Sequence, residues 1–154
     1  MYRTLQTLPL FIVFLPGPVG SIFAEDAAPT LEFRLADDNE NPGWSKMKLP
    51  EGDKSVFVSG KAELDDSHIE KVSFCKDANG NSSVGFTLTD DGAQAMEATT
   101  SRNINKRLAI VLNGKVVSAP IIRSVIKKEG MITGHFDKDD LLAFFQAIVL
   151  RESP

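Results

Sequence analysis

The sequence predicts an α+β fold: a two-layer sandwich in which a mainly antiparallel sheet of about five or six short strands carries two helices on one face. Three observations lead there. Arg107 to Pro120, RLAIVLNGKVVSAP, sets an unbroken apolar run against an Asn113-Gly114 turn and a second apolar stretch, the pattern of a β-hairpin with a type I′ turn. Short stretches around Leu31, Val56, Val72 and Val84 alternate apolar and polar residues with the period of a strand. Two longer segments, one starting at Asp90 and one after Asp137, repeat apolar residues at helical spacing behind residues suited to capping.

Taken from its beginning, the chain opens with a secretory signal over residues 1–24. Arg3 supplies the positive end, Leu8 to Leu15 the apolar core, and Pro16-Gly17-Pro18 breaks the helix ahead of small residues ending at Ala24. Cleavage after Ala24 leaves residues 25–28 as a short linker and delivers an extracytoplasmic chain, periplasmic or secreted. Retention as an N-terminal anchor is the alternative, because Pro9 interrupts the run and Ile22 stands at the third position before the cut. The run is well short of the ~20 residues that a helix needs to cross a bilayer, and no cysteine follows it to accept a lipid.

Leu31, Phe33 and Leu35 then alternate with Glu32 and Arg34, a strand with one wet face. Asp37 to Asp53 is polar, bears Gly and Pro, and reads as a long loop holding the lone Trp44. Ser55 to Gly60 is a second strand, Leu64 to Ile69 a capped single helical turn carrying His68, and Val72 to Lys76 a third strand. Asp77 to Asn81 turns the chain into a fourth, Val84 to Leu88, antiparallel to the third. Thr89 caps the first helix, whose Asp90 and Asp91 face the positive end of its dipole, and Ala93, Met96 and Thr100 face inward until the helix stops near Ser101 to Asn103.

In the hairpin, a two-residue turn sets Leu112 opposite Lys115, Ile110 opposite Val117 and Leu108 opposite Ala119 on one face, with Val111 opposite Val116 on the other. Both faces of its first strand are apolar, so that strand belongs in the middle of the sheet. Pro120 ends the pairing for want of an N–H. Ile121 to Ile126 reads as an apolar edge segment, Lys127 to Gly130 as a turn and Met131 to Gly134 as a short strand, with Gly134 marking a close approach or a bulge. Asp137 caps the second helix, Phe136 and Leu141 form its staple, and Leu141, Leu142, Phe144, Phe145, Ile148 and Val149 make a broad apolar face.

The composition, 42% hydrophobic and 25% charged over 154 residues, is that of one soluble globular domain. A net charge of −4 with a pI of about 5.2 and no cluster of Lys and Arg argues against nucleic acid as a partner. An enzyme would need a nucleophile with a base, a carboxylate pair or a set of metal ligands. The histidines are His68 and His135, the one cysteine is Cys75, and no motif joins them. Asp90-Asp91 and Asp139-Asp140 stand at helix starts, where the dipole accounts for them, and calcium-loop spacing is absent. The expectation is a non-enzymatic domain without cofactor or metal. Cys75, in VSFCK, packs as a small hydrophobe, and a single cysteine allows no internal disulfide. Trp44 either covers an edge of the core or anchors a partner, and one aromatic favours the first.

Four stretches keep a recognisable order and spacing: LEFRLADD from Leu31 to Asp38, VGFTLTDDGAQAM from Val84 to Met96, TSRNINKRLAIVLNGKVVSAPII from Thr100 to Ile122, and ITGHFDKDDLLAFF from Ile132 to Phe145. Together they resemble the head subdomain of the first periplasmic domain of SecD and SecDF, export-assisting membrane proteins of the Sec pathway. Asn113 stands where that family usually has Asp, a change that suits the same turn. The resemblance implies a head domain over residues 29–150 with a tail at 151–154, and a role in holding protein or unfolded polypeptide, with components of the Sec translocon as partners. The base subdomain, the membrane spans and the intramembrane carboxylates of that family have no counterpart in this sequence, so the expectation is a stand-alone, exported head-like domain without the motor. Contact with the membrane would be indirect, or through an uncleaved N-terminus. An envelope structural or regulatory module with no export role is the alternative.

Asn113, Gly114, Pro120 and Gly134 read as fold-determining. Binding is expected at the loop with Trp44, at the sheet face opposite the helices, or along Ile121, Arg123 and Val125, where an edge would accept an extended peptide by strand addition.

Overall fold

The computed structural model describes residues 30–134, 136 and 138–149. Its strands are β1 (Leu31–Asp37), β2 (Ser45–Lys48), β3 (Ser55–Asp65), β4 (Ile69–Lys76), β5 (Ser82–Leu88), β6 (Arg107–Leu112), β7 (Lys115–Ser118) and β8 (Glu129–Thr133). Its helices are α1 (Asp90–Arg102) and α2 (Lys138–Val149), and a 3₁₀ turn at Asp66–His68 joins β3 to β4. The fold is α+β and every strand pair is antiparallel, but the strands form two sheets, of order β2-β3-β1-β6-β7 and β4-β5-β8. The sequence signals predict fewer strands and one sheet. Pairing order is a long-range property that local patterns do not carry.

The main core lies between the two sheets and the helices. Leu31 and Phe33 of β1, Leu108, Ile110 and Leu112 of β6, Val84, Phe86 and Leu88 of β5, Met96 of α1 and Phe144 of α2 meet there. Phe33 and Phe86 meet across the sheets with ring centres 5.6 Å apart and planes tilted by 56°. β1 and β6 are central, as the all-apolar β6 predicts. The wet face expected of β1 is half-buried for the same reason: Glu32 and Arg34 are flanked on both sides, and they pair with each other at 2.7 Å while Arg34 also donates to the Ser59 carbonyl.

A second, smaller core sits on the opposite face of the five-stranded sheet, where Ala36, Val56, Val58, Ala109, Val111, Val116 and Ala119 pack with Met47 and Leu49. β2 and β7, the two edges of that sheet, approach each other to within 8 Å between Cα atoms, so the sheet curls around this second core. The stretch read as one loop from Asp37 to Asp53 therefore contains a strand. β2 forms a hairpin with β3 around the turn that follows Leu49, whose N–H bonds the Lys54 carbonyl at 2.9 Å.

The β6–β7 turn has the expected geometry, with Asn113 at φ 49° and Gly114 at φ 76°. Asn113 is also tied to the start of β1: its N–H donates to the Thr30 carbonyl and its Oδ1 accepts from the Thr30 N–H. Beyond the turn the register departs from the simple hairpin. Leu112 faces Lys115 and Val111 faces Val116, but Ile110 faces Ser118 rather than Val117, and the Leu108 N–H bonds the Pro120 carbonyl. A bulge after Val116 makes the slip, and its effect is to bring Ala119 beside Ala109 in the second core instead of opposite Leu108. No Cβ clash threatens position 114, so Gly114→Val is a test of backbone strain alone. It should cost about 1–2 kcal/mol or somewhat more for a β-branched residue in the left-handed region, read as a lower urea midpoint at unchanged slope.

The segment Ile121 to Ile126 is not an edge strand. Only Ile121 makes a bridge, to Arg107, and the Ile122 backbone bonds Lys106 and Asn105. The chain then turns toward α1, where the Ile126 N–H reaches the Thr100 hydroxyl at 3.0 Å. Pro120 and this detour together remove the ladder. β8 begins two residues earlier than its apolar pattern, at Glu129, because Gly130 pairs with Phe86, whose ring occupies the space above the glycine. Gly134 is a close approach, as expected: a Cβ there would lie 3.3 Å from the Val117 carbonyl oxygen.

α1 matches its expected limits and is capped by Thr89, whose hydroxyl accepts from the Gly92 N–H. The N-cap expected at Asp137 lies outside the described residues, as does the signal segment. α2 buries a narrower stripe than expected. Phe144, Ala147 and Ile148 are buried, whereas Leu142, Phe145 and Val149 are exposed, because they lie one stripe round the helix from its contact with β4 and β6. Phe145 stacks instead on Phe74, itself 46% exposed.

Candidate functional site

The hydrogen bonds around the 3₁₀ turn gather a Ser, a His and an Asp. Ser67 Oγ donates to Asp65 Oδ1, and His68 Nδ1 lies 2.9 Å from that same oxygen and 3.4 Å from Ser67 Oγ. A nucleophilic triad uses both imidazole nitrogens, one toward the hydroxyl and one toward the carboxylate. Here one nitrogen faces both, and the cluster is a capping box: Asp65 accepts from the Ser67 N–H, and the Asp65 N–H reaches His68. His68 is half-buried rather than the exposed surface histidine its neighbours in sequence suggest.

The Ser67 hydroxyl foremost, with His68 beside it, holds the Asp65 carboxyl below the usual carboxylate range. The amide of Asn81 does the same to Asp77 in the β4–β5 turn. A depressed folded pKa contributes stability that is present above the ordinary value of 3.8 and is lost as pH falls through the lowered one. Asp77→Asn should therefore be less stable than the parent chain at neutral pH. The gap should narrow as acid unfolding is followed downward from 3.8.

Cys75 is half-buried on β4 with its Sγ 3.4 Å from Ser83 Oγ, a packed strand thiol. The second histidine, His135, lies outside the described residues. Among the described residues no group of three or more His, Cys, Asp or Glu is placed to hold a metal, and no helix is long and apolar enough to cross a membrane.

A concavity runs along the open seam where β2 and β7 face each other. It is a groove of about 570 Å³, within the range of ligand sites, with Met47, Leu49, Pro50, Val116 and Val117 as its apolar lining and Lys46, Lys48 and Lys115 among its polar residues. The backbone there is only half used. Leu49 and Lys54 form a hydrogen-bonded pair in the β2–β3 ladder, so by alternation Met47–Val56 does too, while Lys46 and Lys48 turn their N–H and C=O outward to the seam. On the other side, Lys115 pairs inward with Leu112 across the tight turn, and Val116 turns its groups outward.

Of the residues expected to bind, Trp44 immediately precedes β2, half-buried, its N–H closing a turn on the Asn41 carbonyl. Ile121 is half-buried, and Arg123 and Val125 are exposed on the irregular segment beyond Pro120. Neither these residues nor Trp44 belong to the seam lining. The sheet face opposite the main core is where the seam lies, but Lys46, Met47 and Lys48 were hidden by the loop reading. Their signal was KMKL set against SVFVS across Pro50-Glu51-Gly52-Asp53, a hairpin turn by composition.

Compared with known proteins, residues 44–153 match the family described as SecDF, P1 head subdomain. The protein translocase subunit SecD of Rickettsia prowazekii is 37% identical over 120 residues, covering 69% of this chain and 23% of that protein. SecD of Aquifex aeolicus is 47% identical over 72 residues, 47% of this chain and 14% of that protein. SecDF of Thermus thermophilus is 50% identical over 87 residues, 56% of this chain and 12% of that protein. The chain thus spans less than a quarter of the length of these curated relatives. A solved structure of SecDF, a membrane component that enhances protein export, superposes with a TM-score of 0.59 at 26% identity, covering 78% of this chain and 61% of that one.

Proposed function

The chain belongs to the SecDF P1 head subdomain family, and from that premise we propose that it is a non-enzymatic, extracytoplasmic domain that binds polypeptide in the service of protein export. The observation that carries the reading is the seam between β2 and β7, an apolar groove bordered by unpaired strand edges, which suits an extended chain better than a folded surface or a small metabolite. Trp44, which precedes β2 in the chain, is a separate candidate contact, and so are half-buried Ile121 and the exposed Arg123 and Val125. The Sec translocon and the chains it exports are the proposed partners, and residues 1–24 the proposed export signal.

Photocrosslinking in intact cells tests this, with a photoreactive residue at Trp44, at Lys48 and at Arg123 in turn. Capture of many exported polypeptides or of Sec components from Trp44 and Lys48 is the expected result. Capture of one discrete envelope protein would replace the reading with a regulatory or assembly module, and capture from Arg123 alone would move the contact to the segment after Pro120.

A further inference from the structure

Resting on that reading, we propose that the seam takes acidic extended segments by strand addition to the outer edge of β2. Two independent features of the groove point to the same occupant. The first is the ladder. Lys46 and Lys48 turn their backbone donors and acceptors away from β3 and into the groove, and Val116 does so from the opposite wall. An extended chain laid there meets unpaired N–H and C=O groups at strand spacing, while its alternate side chains reach the half-buried Met47 and Leu49.

The second feature is charge. The full chain carries −4, yet the seam lining holds Lys46, Lys48 and Lys115 against the acid Asp140 contributed by α2; Lys48 is already paired with Asp53 at 3.3 Å, so Lys46 and Lys115 carry most of the positive field. The local sign is opposite to that of the rest of the molecule, and it selects for carboxylates on the residues of a guest that do not face the apolar lining. β2 and β7 are within 8 Å between Cα atoms in places, close enough to form one groove, yet they share no ladder of their own. A strand needs about 4.8 Å on each side, so the guest pairs with β2 where the two walls stand further apart than at their closest approach, and its side chains pack against the other wall.

The test uses the purified full chain and fluorescence anisotropy with labelled seven-residue peptides: one alternating Val and Glu, one alternating Val and Lys, and two copies of the acidic peptide N-methylated at every second amide in opposite phases. At low salt the acidic peptide should bind about tenfold more tightly than the basic one, in keeping with favourable pairs to Lys46 and Lys115 and the opposite repulsion of the basic peptide. The combined variant Lys46→Glu, Lys48→Glu and Lys115→Glu should invert the order. One of the two N-methylated phases should lose binding about tenfold, because it removes the donors that pair with β2.

Lys46→Pro serves as the second variant. It deletes an outward donor that β3 does not use, a position where an edge strand tolerates proline, so it should abolish peptide binding with the circular dichroism spectrum unchanged. Equal binding of acidic and basic peptides, or indifference to N-methylation in both phases, would overturn the proposal. A permanently unfolded, cysteine-free polypeptide of balanced charge is assayed alongside: if it binds without any charge preference among the peptides, only the acidic strand-addition site falls, and if neither it nor any peptide binds, the polypeptide-binding function falls as well.

Discussion

Gly92→Val is expected to destabilise the fold by about 3 kcal/mol, seen as a fall in melting temperature of roughly 10 °C by calorimetry. Gly92 lies in the first turn of α1, where its N–H is taken by the Thr89 cap. A Cβ built there would stand 2.3 Å from the His68 carbonyl oxygen and 2.9 Å from the His68 Cβ. That carbonyl already accepts from both the N–H and the hydroxyl of Thr89, so it cannot swing aside without loosening the cap. Backbone meets backbone at this point, and the start of α1 must lift off the 3₁₀ turn. Gly92→Ala sharpens the test. In an exposed helix interior, glycine to alanine gains about 1 kcal/mol. Here the same change should be destabilising, and a rise in melting temperature would show that the contact yields.

The second large effect is Phe144→Ala, at about 3–5 kcal/mol, read from the urea midpoint with an unchanged slope. Phe144 has no exposed surface, is packed in the main core, and meets the edge of Phe136 at 5.7 Å and 89°. Its neighbour Phe145 makes the informative contrast. It stacks on Phe74 but keeps 44% of its surface in water, so Phe145→Ala should cost under about 1 kcal/mol. If the two changes cost the same, the depth of α2 against the sheets would be wrong.

That pair also marks where the sequence stops being informative. Both phenylalanines sit on the broad apolar face that helical spacing defines, and nothing local says which stripe of it touches the sheets. Position in the ladder was similarly out of reach. Leu31, Phe33, Leu108 and Ile110 announce buried strands because their period is local, whereas the shift that puts Ser118 opposite Ile110 goes with Ala119 joining Ala109 in the second core, a contact between two strands. Caps fared well for the converse reason. Thr89, Asp65 and the Asn113-Gly114 turn act within three or four residues of themselves, and the structure uses them as their chemistry suggests. At the candidate site, the apolar hairpin wall was legible from LAIVLNGKVV. The facing wall was not, because four residues reading Ser-Lys-Met-Lys look like a loop until β3 is beside them.

The lysines of β2 have a bearing on crowding. An unpaired edge beside an apolar groove is a hazard for any protein, since two copies can zip their edges together and begin to aggregate. In this chain a second copy approaching edge to edge would bring its own Lys46 and Lys48 against the first pair, like charge against like, with Lys115 close by on the far wall. Self-pairing is discouraged by the same ammonium groups that leave the edge open to a chain of opposite sign. The domain can thus stay soluble at high local concentration without giving up its exposed strand, and salt sets the balance: as screening rises, repulsion between copies and attraction for an acidic guest fade together.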